Sequence, residues 1–126
     1  MSRQIIRTDK APGAIGPYNQ GLRAGGFLFT AGQIPLDPQT MQVVGATAAE
    51  QARQALQNAK AIVEAAGLTM NDVVKATVFI RDMGQFAAIN EVYATFFPGD
   101  PPARSVVEVS RLPKDVLVEV ELVAYA

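Results

Sequence analysis

The sequence predicts an α+β domain with six strands in one sheet and two helices on one of its faces. Two segments carry apolar residues at helical intervals, and six others read as strands. Their order, β-β-β-α-β-α-β-β, groups strands and helices instead of alternating them strictly, which suits an α+β sandwich. The length of 126 residues, 49% of them hydrophobic, allows a single core without disulfides or metals.

The first strand is expected around Ile5–Arg7. A hairpin follows, with strands near Asn19–Ala24 and Phe27–Ala31 joined at Gly25-Gly26. Thr47-Ala48-Ala49-Glu50 has capping-box spacing, which satisfies two free N–H groups at a helix start. Ala52, Ala55, Leu56, Ala59, Ile62, Val63 and Ala66 then recur at helical spacing until Gly67 stops the helix. Val73–Ile80 is rich in β-branched residues. A second helix should start near Met83, capped by Asp82, and run to about Phe97 before Pro98-Gly99. Its inner stripe would be Phe86, Ile89, Asn90, Tyr93, Phe96 and Phe97. Arg104–Val109 and Val116–Tyr125 supply the last two strands, around the turn at Leu112-Pro113-Lys114.

The last strand poses a packing problem. Val116, Val118, Val120, Leu122 and Ala124 make one apolar face, while Leu117, Val123 and Tyr125 make the other largely apolar too, interrupted by Glu119 and Glu121. Two helices cover only one side of a sheet. The other side is expected to pack against identical subunits, leaving grooves where sheets meet.

Composition closes off much chemistry. There is no histidine and no cysteine, which excludes Ser-His-Asp and Cys-His catalysis, disulfides, and zinc sites built on those residues. No nucleotide-binding glycine loop or Ca²⁺-loop spacing occurs, so neither a metal nor an organic cofactor is expected. Eleven basic and twelve acidic residues leave a net charge of -1, with the basic residues scattered, so no nucleic-acid partner is expected. Met1–Arg7 lacks a signal-like apolar stretch and no charge-free apolar run could span a bilayer, so a cytoplasmic location and no membrane contact are expected.

A few residues remain as candidates. Arg104 follows the rigid Pro101-Pro102-Ala103, and its guanidinium fork matches a carboxylate with two parallel hydrogen bonds; the alternative is a surface ion pair. Glu119 and Glu121 share one strand face, where apolar neighbours could raise the pKa of one for proton transfer, or both could simply line a wet intersubunit channel. Asn90, on the predicted inner stripe, either ties the helix to a loop or lines a pocket. Tyr18 follows the Ile15-Gly16-Pro17 turn. Gly32, in Thr30-Ala31-Gly32-Gln33, lets bare backbone approach a ligand.

Together these segments resemble the YjgF/RidA family, the reactive intermediate deaminases. The similarity is carried by Ile15–Tyr18, Ala31–Pro35, Gln51–Leu56, Ala61–Leu68, Val74–Ile80, Pro102–Val109, Arg111–Asp115 and Val118–Glu121, and it is most specific from Pro102 to Glu121. It covers essentially all of residues 1–126, one domain. The resemblance implies a chorismate-mutase-like fold assembled as a homotrimer, a trimeric barrel with clefts between subunits. It implies cofactor-free hydrolysis of 2-iminobutanoate and 2-iminopropanoate, products of pyridoxal-phosphate-dependent dehydratases, to 2-oxo acids and ammonia. Arg104 falls at the family's carboxylate-binding arginine, and Glu119 at the acid that places or activates water. Tyr18 and Asn90 fall at pocket positions, and a backbone N–H contribution at Val106 would be kept by valine. Two departures stand out: Ala31 where the family often has serine, and Val106 where many members have cysteine. Relatives that bind ligands without turnover, or cleave RNA, supply alternative readings.

Overall fold

Every foreseen element forms, in the expected order, in the computed structural model, which describes residues 2–126. The strands are β1 (Arg3–Ile6), β2 (Gly21–Ala24), β3 (Phe27–Thr30), β4 (Val73–Ile80), β5 (Ala103–Glu108) and β6 (Val118–Tyr125). The helices are α1 (Ala48–Ala65) and α2 (Phe86–Thr95). The sheet runs β1-β2-β3-β6-β4-β5, so the last strand in sequence lies inside it, between β3 and β4. All neighbours are antiparallel except β4 and β5, which are parallel and joined through α2. The sheet is therefore mixed, with β1 and β5 as its edges.

Strand alternation decides which face meets the helices. Leu28, Ala76, Val78, Ile80, Val118, Val120, Leu122 and Ala124 are buried beneath α1 and α2. The helix side answers with Ala52, Ala55 and Ala59, whose short side chains let α1 approach closely, and with Leu56, Ile62 and Val63. Truncating one of these large aliphatics to alanine would cost about 2–5 kcal/mol. The α1 capping box forms as the sequence predicts: Thr47 accepts from Glu50 N–H, and Glu50 accepts from Thr47 N–H. At the far end Gly67 takes φ +82. Gly67 N–H donates to Glu64 O and Leu68 N–H to Val63 O, a two-bond stop that needs a left-handed residue at that position.

The second helix differs from expectation. Met83–Gln85 form a 3-10 turn, with Asp82 accepting from Gly84 N–H, and the α-helix proper begins at Phe86. Its buried residues are Ile89, Val92 and Tyr93, followed by Phe97 beyond its end. Phe86 and Asn90 lie exposed, and Val92 takes the inward position instead. The foreseen stripe therefore holds at Ile89, Tyr93 and Phe97 and fails at Phe86 and Asn90.

Between β3 and α1, residues 31–47 fold over the end of the sheet. Gln33 and Val120 exchange backbone hydrogen bonds, so pairing with β6 resumes beyond β3. Ile34, Leu36, Leu112 and Val116 make a second small core there, with Phe79 and Val109 against it. Two amides buried on α1 hold this segment. Asn58 donates to Ile34 O and Leu36 O, and Gln51 accepts from Leu117 N–H while donating to Gly45 O.

The sheet face away from the helices stays largely open. Phe27, Phe29 and Tyr125 cluster there, all exposed, with the Phe27 and Tyr125 ring centroids 4.8 Å apart. Among the described residues no helix is long and apolar enough to cross a membrane.

Candidate functional site

The candidate residues fall into two groups on opposite faces of the sheet. Arg104 pairs in register with Ala76, whose side chain is buried on the helix face. Glu119 pairs with Phe79, on the open face. The two positions are separated by about three residues along the strands and by two strand spacings, roughly 14 Å between backbones before the opposite directions are counted. One chain does not bring Arg104 and Glu119 together.

The first group is built on β5 and α2. Arg104 lies with its guanidinium carbon 4.7 Å from the centroid of the Tyr93 ring and 5.5 Å from that of Phe86. Its Nη1 donates to Asn90 Oδ1 at 2.7 Å. Asn90 is thus a surface amide that helps orient the arginine, not a core amide. Among the described residues the single ion pair is Arg111–Asp115, so Arg104 has no carboxylate partner, and its Nε and Nη2 are uncommitted. That edge is one that grips a carboxylate in-plane. A hollow of about 470 Å³ opens beside it, bounded by Tyr93, Phe97, Pro101 and Pro102. Burial pushes the Tyr93 phenol above its ordinary value, opposed by the Arg104 charge.

Val106 lies two residues further along β5, its side chain packed against the core. Its contribution is backbone. Val109 N–H donates to Ile80 O, so by the alternation of a parallel ladder the odd-numbered residues of β5 bond to β4. The Val106 N–H therefore points off the free edge, on the strand that carries Arg104.

The second group surrounds Glu119 on β6. A cavity of about 290 Å³ is lined by Tyr18, Gly32 and Glu119, with Ile15, Leu36 and Pro113 as apolar walls. Glu119 is half-buried, and its pKa is raised, first by desolvation and second by the charge of Glu121 two residues on. A Cβ at Gly32 would overlap the Glu119 carboxylate, so the glycine is what allows the acid to lie against the β3 extension. Tyr18 is 44% exposed, and its hydroxyl accepts from Ile15 N–H at 3.2 Å, which closes its own turn and leaves its proton free to donate. Buried Gln20 bonds Thr8 N–H and three carbonyls, at Thr8, Ala11 and Pro12, and so anchors the segment leading to Tyr18. Among the described residues no cluster of His, Cys, Asp or Glu could hold a metal ion.

Comparison with known proteins places the chain in a family. The family model described as "Endoribonuclease L-PSP" matches residues 8–126. Escherichia coli TdcF, named "Putative reactive intermediate deaminase", is 54% identical over 125 residues, covering 97% of this chain and 96% of that protein. The chain belongs to the YjgF/RidA family. A second YjgF/RidA relative, a RutC family protein of Pyrococcus horikoshii, is 56% identical over 123 residues, 98% of each chain. The crystal structure of E. coli TdcF with bound serine aligns at a TM-score of 0.94 with 53% identity, covering 98% of both chains.

Ala31, where the resemblance leads to an expectation of serine, brings no hydroxyl to the Glu119 cavity that it lines. The neighbouring Thr30 does not replace that hydroxyl, because its Oγ1 accepts from Leu122 N–H at 3.0 Å and points to the helix side. Sequence reasoning did not assign Tyr93, Phe86 or Pro113 to a site. Tyr93 and Phe86 had been counted only as core, although their spacing to Asn90, three residues after it and four before, already placed all three on one helix flank.

Proposed function

We propose that this chain is a deaminase that hydrolyses reactive 2-imino acids, 2-iminobutanoate and 2-iminopropanoate among them, to 2-oxo acids and ammonia. The observation that carries the reading is Arg104: a guanidinium held against two aromatic rings, with no carboxylate partner among the described residues and an open bonding edge. The name of E. coli TdcF and the serine bound in its crystal structure support a cleft for small carboxylates.

The site proposed is shared between copies in a homotrimer. Support comes from the opposite faces of Arg104 and Glu119, and from the exposed aromatic cluster on the uncovered sheet face. The substrate carboxylate docks on Arg104 Nε and Nη2 and on the Val106 N–H of one copy. Glu119 of a neighbouring copy meets the reacting carbon. With the imine nitrogen protonated, that carbon accepts water, whose proton passes to Glu119. The proton returns to the nitrogen of the tetrahedral intermediate, the C–N bond breaks as ammonia leaves, and the remaining hydroxyl becomes the 2-oxo group by giving its proton to the Glu119 carboxylate, which passes it to the departing ammonia. A carboxyl with a raised pKa suits this exchange, because it can both take and return a proton nearer neutrality. Tyr18 lines the same cavity and can donate to the substrate oxygen. The expected source of substrate is a pyridoxal-phosphate-dependent dehydratase, and the expected location is the cytoplasm.

The test adds this protein to a threonine dehydratase reaction and follows release of 2-oxobutanoate. Faster release than the spontaneous rate is expected. An unchanged rate, with 2-oxobutanoate bound tightly, would favour a ligand-binding role instead.

A further inference from the structure

Tyr93 is buried at 5% exposure, yet it sits directly beneath the Arg104 guanidinium, and its hydroxyl is the one buried side-chain polar atom without a hydrogen-bond partner among the described residues. Its ring, by contrast, has two definite contacts. One face lies 4.7 Å from the Arg104 guanidinium carbon, and the Phe97 ring centroid is 4.8 Å away, which fixes the ring from the core side. Phe86 adds a second aromatic contact at 5.5 Å, and Asn90 holds Nη1. An arginine at the start of an edge strand would otherwise sample many rotamers, and losing that freedom on binding would weaken carboxylate capture.

We infer that Tyr93 is a positioning residue whose ring, backed by Phe97, presets the Arg104 guanidinium so that its Nε–Nη2 edge faces an incoming carboxylate. The role rests on the deaminase reading, and it assigns recognition to the aromatic platform.

Two variants separate ring from hydroxyl. Tyr93→Phe keeps the platform and removes only the hydroxyl, so any loss of 2-oxobutanoate binding should be clearly smaller than in Tyr93→Leu. Tyr93→Leu removes the platform. It should weaken calorimetric binding of 2-oxobutanoate by about tenfold, in line with a partly desolvated cation–π contact, and leave kcat within about threefold. An independent readout is the Nε–H resonance of Arg104, assigned by its loss in Arg104→Lys. It should keep its shift in Tyr93→Phe and move toward the solvent-exposed arginine position in Tyr93→Leu. If Tyr93→Leu does not fold, Phe86→Leu at its exposed position should shift the resonance in the same direction by less. An unmoved resonance in the leucine variants, or damage to binding by Tyr93→Phe equal to that of Tyr93→Leu, overturns the inference. A wild type that neither binds 2-oxobutanoate nor turns over would sink the deaminase reading, while the resonance would still decide the platform.

Discussion

The Arg104 and Glu119 regions solve opposite physical problems. Arg104 is a charge kept available: partly exposed, without an ion-pair partner among the described residues, stacked on Tyr93 and Phe86, and aimed by Asn90. Glu119 is a charge made uncomfortable: half-buried in an apolar cavity, beside Glu121, with its pKa raised. The first suits holding an anion whose charge does not change during reaction. The second suits moving a proton. They occupy opposite faces of one sheet, so the proposed reaction would need the two from different copies.

The largest expected effect comes from removing the held charge. Arg104→Lys keeps the positive charge but loses the two-pronged contact, so turnover and 2-oxobutanoate binding should both collapse while the circular dichroism spectrum stays native. A lysine variant with near-wild-type binding would make the region a general cation site instead of a carboxylate fork.

Next comes Glu119→Gln. Turnover should drop by roughly 10²–10⁴-fold, with 2-oxobutanoate binding retained. Stability supplies an independent check. A carboxyl whose folded pKa is raised binds protons more readily folded than unfolded, so its ionised form costs stability as pH rises through the raised value. Above that value the Gln variant should be at least as stable as the wild type, and the gap should close as pH falls below the ordinary glutamate range. Denaturant melts at several pH values read this directly. A Gln variant less stable at neutral pH would mark Glu119 as a structural acid.

A smaller effect isolates the second cause of the shift. Glu121→Gln removes the neighbouring negative charge and leaves desolvation, the larger cause, in place. The acid limb of the kcat profile, raised from the ordinary glutamate position, should move to lower pH without returning fully to it. An unmoved limb would assign the shift to burial alone, or the limb to another group.

Much of the frame was legible because it depends on local rules. The α1 capping box, the Gly67 stop and the alternation of Val118, Val120, Leu122 and Ala124 follow from near neighbours in sequence. The strand ends shifted by one to two residues, β6 beginning at Val118 instead of Val116, because Pro113–Asp115 form a 3-10 turn with Lys114 and Asp115 at positive φ. What was not legible depends on distant partners. Nothing near Asn58 says that its amide holds the carbonyls of Ile34 and Leu36, and nothing near Gln51 says that it accepts from Leu117 N–H. Likewise Arg104, Glu119, Tyr18 and Gly32 were identifiable through family resemblance, but their division between two sheet faces required the strand register.

That division yields the most direct measurement. Arg104→Ala and Glu119→Gln chains, each inactive alone, are co-refolded at equal amounts and assayed. If each site takes Arg104 from one copy and Glu119 from the next around a trimeric ring, every mixed ring regains one intact site, and activity should recover to roughly a quarter of the wild-type value. Recovery no greater than the sum of the two separate residual activities, in samples shown to contain mixed assemblies, would contradict a site shared between copies.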